Sequence, residues 1–201
     1  VIALCRMSSF KPLALLARFY ISILRGTPLM LQLMAWMYGP YYLLHLSLGP
    51  GWKMVACSIG FVLNYSAYFG EIYRSGIESM PIGQYEAAQV LGYTKAQTFF
   101  KIILPQVIKR ILPSVTNEVI TLVKDTSLAF TLAYSEVFSI AKQISASQTS
   151  FMPFVIAGVF YFIANYAVAF VMERIEKKLM GEVAEHPESY TGQYVKKYLE
   201  R

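Results

Sequence analysis

The chain has 201 residues and a formal net charge of +6; 56% of its residues are hydrophobic, 15% are charged, and the mean hydropathy is +0.44. Soluble domains carry about 25% charged residues, so the composition excludes an ordinary water-soluble domain and points to helices in contact with lipid. A large soluble helical core is disfavoured too, because its surface helices would keep a charged outer face.

In chain order, residues 1–5 (VIALC) read as the end of an apolar helix, with most of a span expected upstream of Val1. They lack the basic start and small-residue exit of a signal peptide. A helix needs roughly 20 apolar residues to cross about 30 Å of hydrocarbon. The stretches 27–48, 53–73, 111–134 and 151–172 reach that length. No formally charged residue lies from Thr27 to Trp52, from Met54 to Gly70 or from Phe151 to Met172, whereas Glu118, Lys124 and Asp125 interrupt the third stretch. The Gly39-Pro40 and Gly49-Pro50 pairs are placed to kink or end the first span. Trp36, Tyr41, Tyr42 and Trp52 supply amphipathic rings suited to headgroup level. The expected architecture is all-α, a polytopic membrane helical bundle, with a polar tail over 181–201.

Fifteen of the 18 Lys and Arg residues fall in three segments. The first holds Arg6, Lys11, Arg18 and Arg25; the second Arg74, Lys95, Lys101, Lys109 and Arg110; the third Arg174, Lys177, Lys178, Lys196, Lys197 and Arg201. The alternate loops carry Lys53 and Lys142. Basic residues near span ends stay on the cytoplasmic side, which places these segments and the tail in the cytoplasm. Segregation onto alternate loops reads as topology rather than as a nucleic-acid surface.

Residues 81–105 are polar and amphipathic between apolar runs. Pro81 and Gly83 mark the entry, 84–91 predict a short helix, and Gly92 suits a left-handed cap. Thr94 with Gln97 three residues on is a capping-box pattern for a second helix, predicted to end at Leu104 before Pro105. Glu86, Ala87, Ala88, Gly92, Ile102, Leu104 and Pro105 follow the spacing EAA-x3-G-x9-I-x-LP without a gap. This spacing resembles the loop by which the membrane subunits of bacterial ABC importers grip their ATPase subunits. Arg25-Gly26-Thr27-Pro28, Asn64-Tyr65 with Ala67-Tyr68 and Glu71-Ile72-Tyr73-Arg74, and Lys124-Asp125-Thr126-Ser127-Leu128 resemble segments of permeases for polar amino acids of the His/Gln/Arg type. The resemblance covers about 18–178 and departs at the N-terminus, where that family has a further complete span.

The resemblance implies the transmembrane domain of a type I ABC importer, multi-pass in the bacterial inner membrane. It implies a second permease subunit, the same or homologous, to complete the pore. It also implies a separate ATPase chain carrying ATP and Mg, and an extracytoplasmic amino-acid-binding protein. The seven loop residues would seat the ATPase. Glu86 would offer an acceptor to the partner or cap its own helix, and Ala87 and Ala88 would allow close approach.

Ionisable groups at membrane depth cost about 2.5–3.5 kcal/mol on insertion scales and are functional candidates. Lys124 and Asp125 are adjacent, so about 100° apart on a helix. Asp125 shares a stripe with Thr121 and Glu118, and Lys124 with Asn117; on the preceding span Asn64, Tyr68 and Glu71 follow i, i+4, i+7. Facing each other, these stripes would line a substrate path, with Lys124 attracting a carboxylate and Asp125 an ammonium. A helix break at Thr126-Ser127 would add a free helix N-terminus for a carboxylate. A structural reading is equally open: Lys124 and Asp125 bond neighbouring helices, and Glu71 pairs with Arg74 at i+3.

No GxxxxGK[ST], HExxH or GxSxG pattern occurs, so no catalytic residue and no ATP site is expected on this chain. Cys5 and Cys57 are far apart and His45 and His186 are isolated, so no metal site is expected. Met30, Met34 and Met37 read as packing. The main rival is an ion- or proton-coupled secondary transporter of amino acids, which needs no ATPase chain. A membrane enzyme would have only Glu71, Glu118, Lys124 and Asp125 to work with, and a channel would need a ring of like charge.

Overall fold

The computed structural model describes residues 1–184, and among them the regular elements are all helical. The order is α1 (Ile2–Arg6), α2 (Lys11–Gly26), α3 (Leu29–Leu44), α4 (Trp52–Glu78), α5 (Ile82–Val90), the single turn α6 (Lys95–Gln97), α7 (Leu104–Asp125), α8 (Val137–Gln148) and α9 (Met152–Ala184). A π-helical stretch, Thr98–Ile103, leads into α7, and a tighter 3-10 stretch, Thr126–Leu132, follows it.

The helix in the first predicted span is shorter than the span. α3 has 16 residues, about 24 Å at 1.5 Å per residue. Pro40 sits inside it, and the chain turns out of the helix at His45, whose φ is 52°. α2 and α3 meet at a bend of 106°. The cause is local: Thr27 precedes Pro28 and is driven to extended backbone, φ −119° and ψ 146°. The stretch 53–73 lies within the 27-residue α4, and 151–172 within the 33-residue α9. The stretch 111–134 is split between α7 and the 3-10 turns.

Among the described residues α9 is long and apolar enough, over Met152–Leu179, to cross a membrane by itself; α2 and α3 reach that standard only as a bent pair. α4 and α7 are long enough, but Asn64, Glu71, Arg74, Glu118, Lys124 and Asp125 lower their hydropathy. α9 continues through Ala184, so the first residues of the expected tail are helical, and 185–201 lie outside the described residues.

The chain divides into two units, one made of Val1–Arg74 and Ile120–Asn165, the other of Ser75–Val119 and the chain from Tyr166 on. In the first, Leu33 and Leu132 are fully buried and α3 packs on the 3-10 stretch. Gly60 makes room for α3: a Cβ there would stand 2.6 Å from Leu33 Cδ2. Gly70 does the same for α1, with Ile2 Cγ2 at 2.8 Å. Small residues at such crossings let helix backbones approach where lipid gives no hydrophobic drive between helices. Trp52 donates from Nε1 to the Met37 carbonyl at 3.2 Å, tying α4 to α3, while Tyr41 and Tyr42 stay exposed. In the second unit Ile103, Val107 and Ile111 form the core, and Gly76 lies so close to α7 that a Cβ would meet Ile111 Cγ2 at 2.2 Å.

Candidate functional site

The hairpin in the second unit is capped at its turn. α5 spans Ile82–Val90 and starts at Pro81, whose φ of −60° suits a helix entry. At its end Tyr93 N–H donates to Ala88 O and Gly92 N–H to Gln89 O, both at 3.0 Å. This 6→1 and 5→2 pair is a Schellman closure, which needs a left-handed residue, and Gly92 supplies it with φ +77°. Thr94 then opens the next helix with the predicted capping box: Gln97 N–H donates to Thr94 Oγ1 at 3.3 Å and Thr94 N–H to Gln97 Oε1 at 2.9 Å. The turn at Gly92 therefore separates two segments whose ends are hydrogen-bonded.

The second helix does not stop at Leu104. It widens to the π form over Thr98–Ile103 and continues as α7, with Pro105 in the first turn. Pro105 has no N–H, and its ring would press on the Lys101 carbonyl in a regular α-helix; the wider π turns relieve that clash. The side-chain amide of Gln106 donates to Ile102 O at 2.9 Å and to Gln84 Oε1 at 3.3 Å, so α7 also holds α5 directly.

The seven motif residues divide by environment. Ala88 is buried and α5 packs on the π stretch, while Glu86, Ala87, Gly92 and Pro105 are exposed and Ile102 and Leu104 half-buried. Glu86 lies mid-helix and does not cap α5; its carboxylate has no partner among the described residues. Around it the hairpin shows water a set of apolar side chains: Ile82 is 74% exposed, Val90 88%, Leu91 72% and Phe100 64%. A groove of about 590 Å³ opens beside them, walled by Tyr85, Tyr93 and Phe99 with Lys95 at its edge. Apolar side chains and a groove are thus left uncovered on a segment that is otherwise polar.

The polar residues of the first unit are arranged differently from the expected seam. Asn64 is buried, and its amide donates to Leu24 O at 3.1 Å and to Gln32 Oε1 at 3.0 Å. Gln32 in turn donates to Leu24 O, Thr27 O and Thr27 Oγ1. Tyr68 lies under the Arg25 guanidinium, 5.2 Å from its ring centroid. Glu71 is bound by Arg74 at i+3 and stands 3.6 Å from Arg6. The α4 stripe of Asn64, Tyr68 and Glu71 therefore bonds toward α1, α2 and α3. The α4 residue that meets Asp125 is Tyr65, one position and about 100° around the helix; its hydroxyl donates to Asp125 Oδ2 at 2.7 Å.

Lys124 is exposed and makes no side-chain hydrogen bond or ion pair among the described residues. Asn117 and Thr121 are exposed and Glu118 half-buried, each with polar or ring contacts of its own. The helix does change at Thr126-Ser127, but no free N-terminus opens there. The backbone tightens to the 3-10 form, and the two hydroxyls donate back to Val123 O and Lys124 O. Gln32, Tyr65 and Glu136 escape a reading by charge and stripe. Glu136, the sole acid between Asp125 and Glu173, caps α8 through Phe138 N–H and Ser139 N–H and accepts from Tyr161 OH at 3.0 Å. Its isolation in an apolar region is the signal that marks it.

The chain is similar in sequence and in fold to known proteins. The arginine transport system permease protein ArtQ of Bacillus subtilis (strain 168) is 36% identical over 180 residues, covering 89% of this chain and 81% of ArtQ. The octopine transport system permease protein OccM of Rhizobium radiobacter is 39% identical over 187 residues, covering 90% and 76%. A crystal structure of an amino acid ABC transporter with histidines superposes with a TM-score of 0.78 at 33% identity, covering 88% of this chain and 81% of that one. Residues 1–181 match the family described as binding-protein-dependent transport system inner membrane component, and the chain belongs to that family.

Proposed function

We propose that the chain is the permease subunit of an ATP-driven importer of polar amino acids, a multi-pass protein of the bacterial inner membrane that forms half of a translocation pore. A second permease subunit completes the pore, an extracytoplasmic binding protein delivers substrate, and a separate ATPase chain carries ATP and Mg. The observation that carries this reading is the hairpin: the EAA-x3-G-x9-I-x-LP residues lie on two capped helical pieces with an uncovered apolar surface. A short helix of this kind fits a cleft in a soluble partner, and the chain continues from it as the 22-residue α7. Closure of the ATPases would draw the hairpins together and reorient the helices. The amino-acid class rests on the named relatives; Lys124, exposed and unpaired, and Asp125, held by Tyr65, are compatible with it.

The test uses the assembled transporter in vesicles. Gly92→Pro places a residue restricted to φ near −65° where φ is +77°, and Glu86→Lys reverses the free carboxylate. Both variants should still insert and the ATPase still hydrolyse ATP, while uptake falls by about tenfold or more, the equivalent of about 1.4 kcal/mol of coupling. Full uptake in both overturns the reading. Failure of any ATP-hydrolysing chain to co-purify would favour an ion-coupled transporter.

A further inference from the structure

α2 is an amphipathic helix whose second face is uncovered. Ala17 and Ile21 are buried on one side. On the other, Leu15, Leu16 and Phe19 are 65%, 66% and 64% exposed, and Ile23 continues the row at 43%. Lys11, Arg18 and Arg25 recur every seven residues, so they line one edge of that apolar row. No acid occurs between Lys11 and Gly26. The bend of 106° turns this helix away from the direction of α3, the apolar helix that follows it.

We propose that α2 lies in the cytoplasmic headgroup layer and docks anionic phospholipid, with Leu15, Leu16, Phe19 and Ile23 reaching the acyl boundary and Lys11 and Arg18 the phosphates. Charge complementarity selects this occupant. A helix that is apolar on its exposed face and purely basic along one edge matches a leaflet that is apolar within and negative at its surface. Arg25 is already held at the inner end of the row by Tyr68, so Lys11 and Arg18 are the groups left to select the lipid. The inference rests on the proposed function only for the cytoplasmic side of α2.

The test takes the whole transporter, with its ATPase subunit, in detergent with equal amounts of phosphatidylglycerol and phosphatidylcholine, and counts the retained lipids by native mass spectrometry. The natural protein should hold phosphatidylglycerol in preference. The variant Lys11→Gln with Arg18→Gln should lose that preference by at least about fivefold while keeping its ATPase subunit. In a chain whose free Cys5 and Cys57 are replaced by alanine, a spin label on Leu16→Cys should be open to oxygen dissolved in lipid and closed to an aqueous nickel chelate. Equal lipid preference in both proteins overturns the inference, as does a label open to the chelate. A label shielded from both relaxants, or cross-linked to a neighbouring subunit, overturns it in favour of a protein occupant. If the ATPase co-purifies and lipid preference is absent, this inference alone fails; if no ATPase co-purifies, the functional reading fails.

Discussion

Asn64 and Gln32 are buried polar side chains that bond one another and the backbone. Together they satisfy Leu24 O, Thr27 O and Thr27 Oγ1, the carbonyl and hydroxyl oxygens at the bend between α2 and α3. A backbone group left unpaired in an apolar setting is costly, so the two amides are what make the bend tolerable. Asn64→Ala should lower stability in detergent by about 1–3 kcal/mol, because it strips a buried acceptor of its donor. Gln32→Leu combined with Asn64→Leu should cost less than the two single changes added. Thermal unfolding of Asn64→Ala, the two single Leu variants and the double variant checks both statements, and strict additivity would deny the network. Tyr65→Phe removes the donor to Asp125 and should cost about 0.6 kcal/mol, the average for hydrogen bonds between membrane helices; a transport loss well beyond that would give Asp125 a role in the path.

Elements are decided here by where regular hydrogen bonding fails. The π stretch before Pro105 sets the rotation of the hairpin about the axis of α7. Deleting Phe100 should return the stretch to α-helix and turn α5 by about 100° relative to α7. Uptake should then fall while ATP hydrolysis persists, measured on the same vesicles; unchanged uptake would mean the π turns are incidental. At Gly76, α4 comes close to Ile111 of α7. Gly76→Ala should destabilise by about 1–3 kcal/mol through overpacking on Ile111, whereas Gly158→Ala, with nothing within 4 Å, should leave the melting temperature close to that of the natural chain.

The described residues leave many large apolar side chains uncovered. Along α9, Phe162, Ile163 and Tyr166 are 71%, 61% and 66% exposed, far above what a water-soluble monomer shows as a continuous face. Dilution below the critical micelle concentration should therefore aggregate the isolated chain within a single light-scattering run, and lipid nanodiscs should prevent it.

Much was legible in one dimension. The charge-free stretches, the basic segments, the turn at Gly92 and the capping box at Thr94 depend on residues within a few positions of each other, so local chemistry alone specifies them. The EAA spacing is likewise local, and it pointed to the family to which the chain belongs. The tertiary structure decided which way each polar side chain faces. Asn64 and Tyr65 are neighbours in sequence, yet one bonds α2 and α3 and the other Asp125, because a helix turns each successive residue by about 100° and only packing fixes which neighbour stands on each side. It also decided what holds the bend begun locally at Thr27-Pro28, since the amides of Gln32 and Asn64 that satisfy its oxygens come from α3 and α4, and that the helix runs through Pro105 on wider π turns, which the linear pattern does not show.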